Sequence, residues 1–202
     1  MSRFQIDGEE RLVLLLKNGF ALDDELLASE RFMGRIKIDA RGNAVFPHFD
    51  ADGLSGYEIK NRDFTGFATG GAKALWISNT KNDDDCLVFC ESAIDALSHA
   101  VLFPDDHTRY ASIGGKPSPA QPELIRAAAA RMRAASEITA AMDADADGRK
   151  LAEVDKRSVE MSGRSDLRFH VHEPSGFKDW NDQLRGRRTP SVVQRPKEPS
   201  VA

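Results

Sequence analysis

Two grains of hydrophobic patterning divide this chain. From Glu9 to Asn18, Leu12, Leu15 and Leu16 recur at helical spacing with Gly19 as a C-terminal stop, and Asp23 to Glu30 reads as a second short helix. From Gly34 to Ser78 short apolar runs alternate with turn residues. Arg35 to Ile38, Ala44 to Phe49 and Leu54 to Lys60 are separated by Asp39-Ala40-Arg41-Gly42-Asn43 and Asp50-Ala51-Asp52-Gly53, which predicts a β-meander with Lys73 to Ser78 as a further strand. Asn79 to Asp85 contains no apolar residue and reads as a solvated acidic linker at a domain boundary.

Beyond that linker the alternation is regular. Cys86 to Cys90, Arg109 to Ile113, Glu137 to Met142 and Leu167 to Val171 read as strands; Ser92 to Leu102, Gln121 to Ala135 and Lys150 to Met161 read as the helices between them. Strand and helix in turn imply right-handed crossovers and a parallel sheet flanked by helices, an α/β fold preceded by a small α+β domain. The expected organisation is a helical lead-in over 1–33, a β-meander domain over 34–78, the linker over 79–85, the α/β domain over 86–184 and a basic disordered tail over 185–202.

Composition narrows the function classes. The chain has 202 residues, 41% of them apolar, enough for one full domain and a smaller one. No apolar run is long enough for a membrane span, and Met1 to Asp7 lacks a leader's apolar stretch, so the expectation is a cytoplasmic protein without a membrane partner. Cys86 and Cys90 flank an apolar strand core and read as reduced and buried. The net charge of −4 argues against a whole-surface nucleic-acid binder, but from Gln183 onward five Lys or Arg face Glu198 alone. That stretch is either a solubilising tail or a phosphate-contacting arm.

Candidate chemistry concentrates after the third α/β strand, where Asp143, Asp145 and Asp147 alternate before Gly148. On an extended chain they would share one side, and carboxylates so crowded call for a hard divalent cation such as Mg²⁺ or Mn²⁺. Ligand sites of parallel sheets lie beyond the carboxyl ends of the strands. Glu91, with Asp95 a turn on, and Gly114-Gly115-Lys116 follow other strands at that same edge, while Phe177-Lys178-Asp179-Trp180-Asn181-Asp182 follows the last. A Glu with several Asp at one edge suits metal-assisted phosphoryl transfer.

An EF-hand loop fails on spacing, because its twelfth position is Val154 and the acid, Glu153, comes one residue early. Asp50 to Gly53 repeats the Asp-Ala-Asp-Gly string, yet between two strands it reads as a turn. Gly114 and Gly115 are either a turn or backbone donors for a phosphate beside Lys116. His170 and His172 share a strand face without a third ligand, and Trp180 either stacks on a base or caps the core.

Glu91 after one buried strand, and Asp143-x-Asp145-x-Asp147-Gly148 after another, resemble the Toprim domain of topoisomerases, bacterial primases, OLD-type nucleases and RecR-type repair proteins. The match spans Cys86 to Leu184. Lys178-Asp179-Trp180-Asn181-Asp182 resembles an element of primase-type Toprim proteins from plasmids and other mobile elements. Gly42-Asn43, Phe46-Pro47-His48, Gly56-Tyr57-Glu58 and Lys73 to Trp76 resemble a small domain of unknown role that precedes Toprim in such proteins. The resemblance implies Glu91 as general acid or base, Asp143 and Asp145 as Mg²⁺ ligands, and Asp147, Asp95, Asp179 and Asp182 in support. Ser92 stands where many members have Gly, which narrows a substrate's approach.

The resulting expectation is a Mg²⁺-dependent Toprim protein performing primase-like nucleotidyl transfer in replication or transfer of a mobile element. Lys116, Arg149, Lys150 and Lys178, with Gly114 and Gly115, would contact phosphates. Partners would be single-stranded DNA, nucleotides and replication or conjugation proteins. The alternatives are a Toprim nuclease on DNA or structured RNA and a non-catalytic DNA-binding accessory module.

Overall fold

The computed structural model describes residues 8–188. Helix α1 (Gly8–Phe20) runs past Gly19 and ends where Ala21 turns left-handed at φ 54°, its N–H and that of Leu22 captured by the carbonyls of Lys17 and Leu16. After the short α2 (Asp24–Ala28) come β1 (Lys37–Ile38), β2 (Ala44–Asp50), β3 (Gly53–Asn61) and β4 (Phe64–Phe67), an antiparallel sheet in sequential order. The Asp39 carboxylate closes the first turn by accepting from the N–H groups of Arg41 and Asn43. Asp50 pairs with Gly53, φ 121°, across a two-residue hairpin, so this Asp-Ala-Asp-Gly string is a turn.

A second sheet holds β5 (Trp76–Ile77), β6 (Cys86–Cys90), β7 (Thr108–Ser112), β8 (Glu137–Ala141) and β9 (Arg168–Val171) in the order β5-β7-β6-β8-β9, all parallel except β5. Trp76 and Ile77, read from sequence as part of the meander's last strand, thus form an edge of the α/β sheet. Helices α3 (Ala93–Leu102), α4 (Gln121–Ala130), α5 (Ala146–Glu160) and α6 (Trp180–Arg188) cover its faces. Because β7 and β8 lie on opposite sides of β6, right-handed crossovers place α3 on one face and α4 and α5 on the other.

The side chains follow that division. Val88, Cys90, Tyr110 and Ala141 enter one core with α3, and Leu87, Phe89, Ala111, Ile138 and Ala140 enter another with α4 and α5. The first core also takes Leu16, Phe32 and Ile36 from the lead-in, Phe46 and Trp76 from the meander, and Trp180 and Leu184 from α6. Trp76 stacks on Phe32, ring centroids 6.2 Å apart.

Residues 79–85 are not a solvated linker. Asp84 is fully buried, bound at both oxygens by Arg31 at 2.6 and 2.9 Å and by Arg109 Nε at 3.0 Å. Arg31 also donates to the carbonyls of Asn79 and Asp106. Asp84 escaped apolar patterning because it is held by ion pairs instead of by burial of hydrocarbon, while Asp83 and Asp85 beside it are exposed.

Nor is the chain from 185 disordered at its start. Arg185, Arg187 and Arg188 lie in α6, where Arg188 forks onto Asp23 at 2.6 and 2.8 Å and Arg187 stands over the Phe103 ring. The remainder of that expected tail, 189–202, lies outside the described residues.

Candidate active site

Four loops meet beyond the carboxyl ends of the parallel strands and are stitched together by their backbones. Gly114 and Gly115, φ 70° and 80°, fold the loop after β7 back so that the Gly115 N–H donates to the Glu91 carbonyl at 2.9 Å. That N–H is therefore committed to the protein instead of to a phosphate. Across the sheet, Ala144 N–H donates to the Lys178 carbonyl at 2.8 Å, joining the loops after β8 and β9.

Glu91 leads into α3, whose N-cap is Ser92. The Ser92 hydroxyl accepts from the Asp95 N–H and donates to the Asp95 carboxylate at 2.5 Å. Ser92 is buried in this exchange and does not project towards a substrate. Asp95 lies beneath, its carboxyl pushed up to about 7 by burial and then by the Asp179 charge.

After β8 the extended alternation stops early. Asp145 is the N-cap of α5, accepting from the N–H groups of Asp147 and Gly148 at 3.0 and 2.9 Å, and these bonds hold its carboxyl below the usual range. Asp147 consequently lies in the first helical turn, 82% exposed and paired with Lys150 at 2.7 Å. The three carboxylates do not share one side. Gly148 explains the sharpness of the turn, since a Cβ there would stand 2.0 Å from the Asp143 carbonyl oxygen.

Asp143 is the side chain best suited to a cation. Its Oδ1 is buried without a hydrogen-bond partner, and its carboxyl is pushed up to about 8 by burial, then by the charges of Asp95, Glu91 and Asp179. Glu91 is raised by burial and by Asp145, and lowered by Lys178 and Lys60. Lys178 Nζ lies 3.6 Å from Asp145 Oδ2. An orphaned carboxylate oxygen among mutually repelling acids fits a hard divalent cation. Among the described residues, however, no three metal-ligating side chains are already gathered as a coordination shell.

The remaining candidates sort by position. In the segment from Lys178 to Asp182, the Asp179 carboxylate accepts from the Asp182 N–H at 2.7 Å, and Trp180 is fully buried with its indole N–H on the Ala141 carbonyl, so it caps the core. Asn181 ties the Phe20 carbonyl to Ser98, while Asp182 faces Arg185 at 3.9 Å. Arg149 faces Glu173 at 3.9 Å. His172 pairs with His99 at 3.1 Å instead of with the exposed His170.

The meander supplies groups that sequence patterning did not single out. On β3, Glu58 is buried against the start of α3, its carboxylate 3.5 Å from the Ala93 N–H, and Lys60 pairs with it at 3.1 Å. Lys73 Nζ donates to the carbonyls of Gly114 and Lys116 at 2.8 and 2.9 Å. Its ammonium is pushed down by burial and supported by the charges of Glu58 and Glu91. The alternation that sends Phe46 and His48 inward on β2 does the same for Glu58 and Lys60 on β3, which was the available signal.

Residues 88–184 match the Toprim-like family, and residues 21–84 match a family described as a protein of unknown function (DUF3991). No curated protein sequence matches the chain. Among solved structures, the primase fragment of the bacteriophage T7 primase-helicase protein superposes with a TM-score of 0.57 at 19% identity, covering 84% of this chain and 68% of that one. A DNA primase domain from Pseudomonas aeruginosa gives a TM-score of 0.50 at 17% identity over 76% of this chain, which spans about half, 52%, of that domain. At these identities the likeness is one of fold. The fold is primase-like, with a Toprim-like match over residues 88–184 preceded by a match to a family without assigned function over residues 21–84.

Proposed function

We propose that this chain is a metal-dependent nucleotidyl transferase of primase type, acting on single-stranded DNA with nucleotides as the second substrate. The observation that carries the reading is the pairing of two opposed charge sets. Of the carboxylates, Asp143 and Asp145 are faced by Lys178, while Glu91 also feels cations that the meander brings in, Lys60 and Lys73. A phosphodiester alone needs the first set; a nucleoside triphosphate needs the second as well, to hold its extra charge.

Asp143 and Asp145 would hold Mg²⁺ or Mn²⁺, with Asp95 and Asp179 beneath them; the ion would neutralise developing charge on the phosphoryl oxygens. Glu91, its affinity for a proton raised, is suited to accept the proton of the attacking 3′ hydroxyl. The hydroxyl oxygen forms its bond to the α-phosphorus, the bond from that phosphorus to the bridging oxygen breaks, and pyrophosphate leaves beside the lysines. Lys178, its own proton held by Asp143 and Asp145, favours the ionised form of both carboxylates against the burial that raises Asp143. Asp147 and Asp182, turned to Lys150 and Arg185, have lesser parts. A place in replication or transfer of a mobile element, with replication or conjugation proteins as partners, is the setting that such an activity would serve. Among the described residues no helix is long and apolar enough to cross a membrane.

A denaturing gel tests the reading: end-labelled single-stranded DNA and labelled nucleotides with Mg²⁺ or Mn²⁺, beside Glu91→Gln. New labelled products that vanish in the variant are expected. Shortened strands that vanish would make the centre a nuclease, and an unchanged gel would make the chain an accessory module.

A further inference from the structure

Beside Glu91, on the face of the sheet away from α3, lies an open cleft of about 470 Å³ between the loop after β7 and helix α5. Glu91 stands at one end. Leu151 and Val154, one turn apart on α5, and Pro117 opposite them give it apolar walls. Leu151 is 8% exposed and Val154 half-buried, whereas Lys116 and the Lys150 ammonium stand in solvent at its mouth.

We infer that this cleft seats the base and sugar of a nucleotide, the base lying on Pro117, Leu151 and Val154 with its phosphates or 3′ oxygen turned towards Glu91. The inference rests on the nucleotidyl-transfer reading and adds where the base goes. An inorganic anion would leave the apolar walls unused, and a wholly apolar ligand would strand Lys116, Lys150 and Glu91. A flat, weakly polar ring on an anionic stem satisfies both ends, and the volume falls in the range of small-ligand sites. Asp147 also lines the cleft, paired with Lys150 and largely exposed, but the part of the wall that meets the base, Pro117, Leu151 and Val154, carries no side-chain hydrogen-bond group and so holds a base by packing without reading its identity. The four common nucleoside triphosphates should therefore bind with similar affinity.

Val154→Trp fills the cleft from a half-exposed helix position and replaces none of the carboxylates or lysines of the site. With Mn²⁺ present, ATP should bind the variant about tenfold more weakly while inorganic tripolyphosphate, which has no base, binds as before. Irradiation of the unaltered protein with 8-azido-ATP should label Pro117 or α5, and this decides the matter if the variant misfolds. Unchanged ATP affinity in the folded variant, or label confined to the meander, overturns the cleft and leaves nucleotidyl transfer standing. Failure of both ATP and tripolyphosphate to bind the unaltered protein overturns the cleft together with the reading beneath it.

Discussion

Two carboxylates a single residue apart are held in opposite electrostatic states. Asp145 accepts two helix N–H groups and is stabilised as an anion, while Asp143, buried among acids, favours its proton to about pH 8. A carboxyl raised in the folded state stabilises the protein below its unfolded value and loses that contribution as pH climbs through the folded one. Metal-free protein should therefore lose stability between about pH 4 and pH 8 through Asp143. Asp143→Asn should raise Tm at pH 8 by about 2–4 °C and change it little at pH 5. Mg²⁺ should stabilise the unaltered chain more at pH 8 than at pH 5 and the variant at neither. Thermal melts at both pH values, with and without Mg²⁺, check this; a variant shift equal at the two would remove Asp143 from the repulsive cluster. Asp145, its own carboxylate compensated by its cap, enters the cluster through the charge it presents to Glu91.

At the scale of elements, the distance between strand and helix after β8 decides what the acidic motif does. Sequence alternation ended the strand at Met142, kept the chain extended through Asp147 and began the helix at Lys150, but capping by Asp145 starts α5 at Ala146. The capping signal was present in the residues and was outweighed by the carboxylate pattern. The long, strongly patterned elements β6, α3 and β8 were legible, because their side-chain periods are set by the faces they bury. β5 falls within the strand read over Lys73 to Ser78, but its sheet was not legible, since two residues carry no period, and α6 was hidden because only Trp180 and Leu184 supply its apolar side. Glu91, Asp143 and Asp145 could be read because they end strands. Lys60 and Lys73 could not, because only the docking of one sheet on the other brings them there. The close fit at Gly148 makes a prediction of its own. Ala is worth about 1 kcal/mol more than Gly inside a helix, yet here its Cβ would strike the Asp143 backbone. Gly148→Ala should cost about 1–3 kcal/mol and abolish metal-dependent products on the gel. Retained activity with raised Tm would show that the loop yields.

On the scale of the whole molecule, the lead-in, the meander and the second sheet share one core, and a polar joint ties the lead-in to that sheet, so they should unfold together. Phe46 and Trp76 pack with Val88, Cys90 and α3, and the backbones of Phe49 and Leu75 bond reciprocally where the first sheet passes into the second. Calorimetry should show a single transition, and a fragment beginning at Cys86 should not fold, since it lacks the residues that cover α3. Asp84 is the sensitive point of the joint, because removing its carboxylate leaves Arg31 and Arg109 facing each other without compensation. Asp84→Ala should cost about 3–5 kcal/mol. The lead-in held by this joint packs with Phe46 and Trp76 of the meander that carries Lys60 and Lys73, so loosening it should act on nucleotide binding before it acts on chemistry. At a temperature well below its Tm, the variant should show a raised KM for nucleotide with kcat largely kept. An unchanged KM in the destabilised variant would mean that the meander stays seated without its ion pair, held by the shared core alone.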